Sequence, residues 1–292
     1  MNVLIYLAAV LTTTISFALI SILGRLVLRK GKNSIPFRSF VPLFLLVSAI
    51  ITLSLSFAVT GRISLPAGFY PLVFVMGALY TAASYIVFYS LENEKGGLIG
   101  TVNSTQVLFI AFFSSLLFVH SDVIKSSIAV VLMLIGVFLV SANNLRTAKF
   151  SKFVFLALFG TLLWVAMWLL FYGTLPSGVP SMLAYGWLSL FAFVACIPAV
   201  FLTKQKLVDF SKVMRKSQYS KYILLVSVVN SIGTILYSYT YVLNAVLTPL
   251  IVETEVFFVL VLAYFLLKER FKIIQILGAL IVVFAVFFFL LV

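Results

Sequence analysis

The sequence predicts an all-α membrane protein of ten transmembrane helices, arranged as two inverted five-helix repeats (5+5). Three observations carry that expectation: the composition, a series of ten apolar runs, and the way the basic residues sort between them. Of the 292 residues, 64% are hydrophobic and only 9% are charged, whereas an ordinary soluble domain has about a quarter charged. Too few charges remain to cover a water-facing surface, so apolar side chains must face lipid as well as a core. A mean hydropathy of +1.25 agrees.

A helix that spans a bilayer needs about 20 mostly apolar residues. Ten segments meet or approach that requirement: 3–28, 37–60, 69–91, 97–119, 123–142, 152–175, 180–203, 221–244, 246–267 and 271–291. The first run opens at Val3, with no basic region before it and no small-residue cleavage site after it. It is expected to be a first span rather than a removed signal peptide. The breaks between runs carry charge or turn chemistry, as in Glu92-Asn93-Glu94-Lys95-Gly96-Gly97 and Pro176-Ser177-Gly178-Val179-Pro180. No run alternates as a barrel strand would, so strands are not expected. The longest polar stretch, 204–221, has room only for a short surface helix.

A shift of 149 residues aligns the two halves of the chain without gaps. Leu98 then meets Leu247, Thr105 meets Thr254, Phe109 meets Phe258 and Leu117 meets Leu266. Helix ends coincide as well, His120-Ser121 falling on Glu269-Arg270. The expected units are 1–145 and 146–292, together one transmembrane domain. Five spans per unit is an odd number, so the second unit starts on the opposite side of the bilayer from the first. Inverted repeats of this kind place a binding site near the midplane, between the halves.

The basic residues fit this topology. All of the 20 Lys and Arg but Arg62 and Lys125 fall on the side reached after the first span. By the positive-inside rule that side is cytoplasmic and both termini lie outside. The expected location is the cell membrane, as a multi-pass protein. The net charge of +13 is explained by these loops and not by nucleic-acid binding.

The segment Leu250-Ile251-Val252-Glu253-Thr254-Glu255, with Leu266-Leu267-Lys268-Glu269-Arg270, Gln275 and Gly278-Ala279-Leu280-Ile281 downstream, resembles the last two helices of EamA-type transporters in the drug/metabolite transporter superfamily. Glu255 and Glu269 have that family's spacing of fourteen between a mid-helix acid and the Glu of a Glu-Arg pair. The stretches Phe88-Tyr89-Ser90-Leu91 and Tyr239-Thr240-Tyr241-Val242-Leu243-Asn244-Ala245 are similar to its third-to-fourth helix junctions, and Leu163-Trp164 to its first-helix tryptophan. Val256 stands where the family has proline after the acid, and the first repeat has His120-Ser121 in place of the Glu-Arg pair. The resemblance implies a 5+5 transporter of small solutes. It also implies cytoplasmic termini, opposite to the charge sorting.

Among the seven acidic residues, Glu253 and Glu255 stand out. They lie about 10–14 Å into the ninth span at 1.5 Å per residue. A carboxylate at that depth is costly unless it has a partner, faces a polar cavity or carries a proton. Two positions apart on a helix, the pair points in nearly opposite directions. Glu255 matches the family position and is the candidate for the cavity and for a proton carrier; Gln106 is its mate in the first repeat. Trp164 and Trp168 form a stripe on the sixth span. With Asn103, Asn230, Tyr85 and Tyr237 they complete the candidate solute cavity, since aromatic and amide side chains can wall a pocket for apolar solutes or cations. Each of these residues has a structural alternative, as an interhelical hydrogen bond or an interfacial aromatic. Glu269 and Arg270 are expected to anchor the turn between the last two helices through a salt bridge and a helix cap.

The single histidine, His120, and the single cysteine, Cys196, have no neighbours with metal-ligand spacing, so no metal or cofactor is expected. The expected partners are the lipid bilayer and a small-molecule solute, with monomer and homodimer both open. The leading function is a secondary transporter or exporter of small organic solutes, amino acids or related metabolites, working by alternating access. Proton coupling and facilitated diffusion are both open. A channel or a membrane-embedded enzyme is the alternative, and the chain lacks the pore loop of the first and the catalytic cluster of the second.

Overall fold

The computed structural model describes residues 3–28, 35–114, 123–144, 149–202, 217–243, 248, 252 and 254–291. Its helices follow the apolar runs: α1 (Val3–Leu28), α2 (Phe37–Thr60), α3 (Tyr70–Asn93), α4 (Gly96–Asn103), α5 (Gln106–Ser114) and α6 (Val123–Ser141) in the first half. The second half has α7 (Lys152–Thr174), α8 (Ser181–Leu202), α9 (Ser217–Leu243), α10 (Glu255–Leu266) and α11 (Ile273–Leu291). Among the described residues, six helical segments are long and apolar enough to cross a membrane: Val3–Leu28, Phe37–Thr60, Ala67–Asn93, Lys152–Thr174, Ser181–Pro198 and Tyr219–Thr240. Shorter apolar helical segments are Ser127–Val140, Glu255–Leu266 and Ile273–Ala285. The chain is a multi-pass helical membrane protein.

Two expectations need correction. Strands were not expected, yet β1 (Ala142–Asn144) pairs antiparallel with β2 (Lys149–Phe150) in the link between α6 and α7. The sequence there is polar, and a two-rung bridge satisfies backbone groups without any apolar alternation. The fourth run, expected as one helix over 97–119, is broken into α4 and α5. Ser104 Oγ donates to the Gly100 carbonyl at 2.9 Å and Thr105 Oγ1 to the Val102 carbonyl at 2.6 Å. Hydroxyls that bond back to the preceding turn compete with the helix ladder. The backbone tightens accordingly, Thr105 N reaching Val102 O at 3.1 Å. In the ninth run a turn at Thr254 likewise precedes α10. The tail of the fourth run, 115–119, the start of the ninth at 246–247 and the stretch 203–216 lie outside the described residues.

Helices pack in a limited set of pairs. α3 lies against α7 and α8, α9 against α1 and α2, α2 against α8, α6 against α11, and α4 against α10. Burial along 71–90 of α3 recurs along 221–240 of α9, position by position, except that Ala78 is exposed where Val228 is half-buried. Small residues set the closest crossings. A Cβ on Gly136 of α6 would stand 2.7 Å from the Gly278 carbonyl of α11, and one on Gly278 would stand 2.6 Å from the Gly136 carbonyl. Without a hydrophobic drive between helices in lipid, such backbone approach supplies the packing contact. Hydroxyls add bonds between helices: Thr81 Oγ1 donates to the Ala192 carbonyl at 2.7 Å and Ser231 Oγ to the Ser48 carbonyl at 3.4 Å. Aromatic packing fills the core of the first half, where Phe40 stacks on Phe44 at 5.7 Å and Phe88 meets both edge-on.

Candidate functional site

The helix breaks position the site. α5 begins at Gln106 and α10 at Glu255, so both side chains sit in the first turn after an interruption. Discontinuous helices at such depth are tolerated where they are buried in protein or line a cavity. Here they line one. Its empty space, open mouth included, is about 680 Å³.

Six of the eight residues expected at the cavity line it: Glu255, Gln106, Asn103, Asn230, Trp164 and Trp168. Tyr80, Tyr185, Phe17, Phe44, Phe88, Ser21 and Thr234 complete much of the wall. Both halves of the chain contribute. The polar groups are already partly organised. Tyr80 and Tyr185 share a hydroxyl hydrogen bond at 2.9 Å, and Asn230 Nδ2 donates to Tyr185 Oη at 3.4 Å. Asn103 Oδ1 accepts from Thr161 Oγ1 at 3.2 Å. Trp168 stacks parallel to Tyr185, with ring centroids 6.0 Å apart and planes 4° from parallel. Trp164 lies 6.3 Å from Tyr80, and its indole nitrogen is buried without a hydrogen-bond partner.

Glu255 is 4% exposed. Among the described residues no hydrogen bond or ion pair reaches its carboxyl, and no Lys, Arg or His lines the cavity. Among the described residues the cavity therefore presents one acid amid neutral amides, hydroxyls and rings.

Two expected residues stand elsewhere. Tyr237 is buried behind the wall, its ring 6.0 Å from Trp168 and 5.9 Å from Phe17. Tyr85 meets Phe37 edge-on at 6.1 Å, away from the cavity. On α3 it lies five residues beyond Tyr80, about 140° round the helix, so the two cannot share a face. Tyr185 is among the wall residues that the sequence did not flag. α8 offers no polar pair or spacing that marks it, and its role depends on Trp168 and Asn230 arriving from other helices. Glu253, the other intramembrane acid, and His120-Ser121 lie outside the described residues.

Glu269 and Arg270 form no salt bridge with each other. Lys268 adopts a left-handed φ of 54°, which ends the helix and turns Glu269 inward to a different helix. Its carboxylate accepts the backbone N–H groups of Gly96 at 2.8 Å and Gly97 at 3.0 Å, capping α4. Arg25 Nε stands 3.9 Å from the same carboxylate and its guanidinium donates to the Leu91 carbonyl. Lys95 Nζ donates to the Arg270 carbonyl at 2.7 Å. The ends of α1, α3 and α10 and the start of α4 are thereby tied at one end of the bundle. At another junction Arg62 reaches the Gly178 carbonyl at 3.4 Å, joining the α2–α3 and α7–α8 links.

Comparison with known proteins agrees with this architecture. A crystal structure of another protein superimposes with a TM-score of 0.61 at 13% sequence identity, over 96% of this chain and 96% of that one. At that identity the likeness concerns the fold alone. No curated protein sequence matches. The EamA-like transporter family matches over residues 151–291, which hold Trp164, Trp168, Tyr185, Asn230 and Glu255 of the cavity wall. Residues 151–291 thus form a domain of the EamA-like transporter family, within the drug/metabolite transporter superfamily.

Proposed function

We propose that the protein is a secondary transporter or exporter of small organic solutes, amino acids or related metabolites, and not an enzyme. The observation that carries this reading is the cavity walled by both halves of the chain at two helix interruptions. Its frame is a pair of inverted five-helix repeats, 1–145 and 146–292, in ten spans. The packing supports that frame. Exchanging the halves turns the α3–α7 contact into α9–α1, and α3–α8 into α9–α2, while α2–α8 and α6–α11 map onto themselves. The recurring burial along α3 and α9 and the paired Thr81–Ala192 and Ser231–Ser48 bonds follow the same exchange.

Transport is by alternating access, the two repeats rocking about the cavity. The basic loops face the cytoplasm of a cell membrane. Glu255 is the candidate proton carrier, and facilitated diffusion is the competing mode. Purified protein in proteoliposomes is expected to give saturable efflux of at least one solute class from a metabolite library, and flux no higher than empty liposomes throughout contradicts the proposal. For coupling, the comparison is flux with and without a pH gradient; an unchanged gradient dependence in Glu255→Gln removes the proton-carrier assignment.

A further inference from the structure

We propose that the cavity takes an organic monocation, an ammonium group seated at Glu255 with a flat apolar body against Trp168, Tyr185 and Trp164. For its physiological meaning this rests on the transporter reading; as a binding site it stands on the cavity alone.

The charge balance selects the ligand. Glu255 is 4% exposed, lines the cavity, and has no partner among the described residues. An ionised carboxyl there is costly to bury unless a countercharge arrives. Among the described residues no cationic side chain lines the cavity to supply it, so the carboxyl either holds a proton or meets a cationic ligand that takes the proton's place. The related position in the first half holds Gln106, a neutral amide, so among the described residues the cavity carries one acid and not two, which favours a single positive charge. An anionic ligand has no cation to meet among the described lining residues, and a zwitterionic amino acid would bring its carboxylate beside Glu255, so within the proposed solutes this cavity favours amine metabolites over amino acids.

The walls select the body. Trp168 and Tyr185 form a parallel stacked pair, with Trp164 and Tyr80 beside them in the wall. Aromatic faces attract cations and flat rings together. The buried, unpartnered indole nitrogen of Trp164 adds a donor for an acceptor atom on the ligand body.

Three probes with one phenyl body test the assignment: 2-phenylethylamine, 2-phenylethanol and 3-phenylpropionate, which are cation, neutral and anion at pH 7. The chain has three tryptophans, two of them in the cavity wall. Trp187 instead donates to the Ile63 carbonyl at 2.7 Å. In full-length Trp187→Phe protein, intrinsic fluorescence therefore reports the cavity. The amine is expected to bind at least about tenfold more tightly than the alcohol, a difference of ~1.4 kcal/mol, and the propionate more weakly still. Glu255→Gln is expected to abolish the preference for the amine while leaving the alcohol unchanged. Equal affinity for amine and alcohol, tighter binding of the propionate, no binding of any probe, or a cation preference that survives in Glu255→Gln overturns the inference. If Glu255→Gln does not fold, the three-probe comparison on Trp187→Phe decides alone. Flux separates the two readings. A protein that binds the amine yet moves no solute keeps the site and loses the transporter reading; one that transports other solutes and ignores the amine does the reverse.

Discussion

Glu269→Ala tests the account at the junction of α1, α3, α4 and α10. The substitution removes the acceptor that, among the described residues, receives the Gly96 and Gly97 N–H groups, at 2.8 and 3.0 Å. Loss of an N-cap costs about 0.5–2 kcal/mol, and a hydrogen bond to a charged group is worth about 1.5–3 kcal/mol. The two estimates overlap because they describe the same bonds. The Arg25 contact at 3.9 Å is too long for a hydrogen bond, and the Arg25 guanidinium keeps its bond to the Leu91 carbonyl, so its loss adds roughly 1 kcal/mol. A total of about 2–4 kcal/mol follows, equivalent to a fall of about 3–7 °C in unfolding midpoint for a chain of this size. The single cysteine, Cys196, is 1% exposed, so a thiol-reactive fluorophore in detergent solution reports unfolding without further engineering. Glu269→Gln keeps one acceptor oxygen and is expected to lose about half as much. A Glu269→Ala midpoint within about 1 °C of the parent protein refutes the reasoning, because two buried N–H groups would then have lost their acceptor at no cost.

Two further substitutions probe the helix crossings by the same assay. Gly136→Leu places side-chain atoms where even a Cβ would meet the Gly278 carbonyl at 2.7 Å and Val282 at 2.8 Å, and is expected to destabilise by about 1–3 kcal/mol or more; an unchanged midpoint contradicts the close α6–α11 crossing. Thr81→Val removes the 2.7 Å bond to the Ala192 carbonyl while keeping side-chain shape, and is expected to cost about 0.6–1.7 kcal/mol; stabilisation contradicts the role assigned to that hydroxyl.

The spans were legible because lipid imposes a length and a composition that local sequence must meet. α1 and α2 fall where the apolar runs put them, at Val3–Leu28 and Phe37–Thr60. The break between α4 and α5 was not read, although its signal is present: Asn103-Ser104-Thr105-Gln106 is a polar tetrad inside an apolar run. No proline or charge marks it, and hydropathy averaged over a span hides four residues. Six cavity residues were found because intramembrane amides, acids and tryptophans are costly to leave facing lipid. Tyr185 escaped because a tyrosine in an apolar helix carries no such signal until a stacking partner arrives from α7. Tyr237 shows the opposite failure. It shares a helical face with Asn230 seven positions earlier, yet two turns along the axis suffice to carry it behind Trp168. Glu269 was placed at the correct turn with the wrong partner, since a cap made across the chain to Gly96 and Gly97 leaves no local spacing to detect.

Accessibility at the cavity floor tests the central claim most directly. Asn230→Cys in a Cys196→Ser background, reconstituted in vesicles of known orientation, is to be labelled with a membrane-impermeant thiol reagent applied to one face at a time. Alternating access predicts labelling from both faces, slowed on both by a transported solute. Labelling from one face alone, unaffected by any solute, contradicts it.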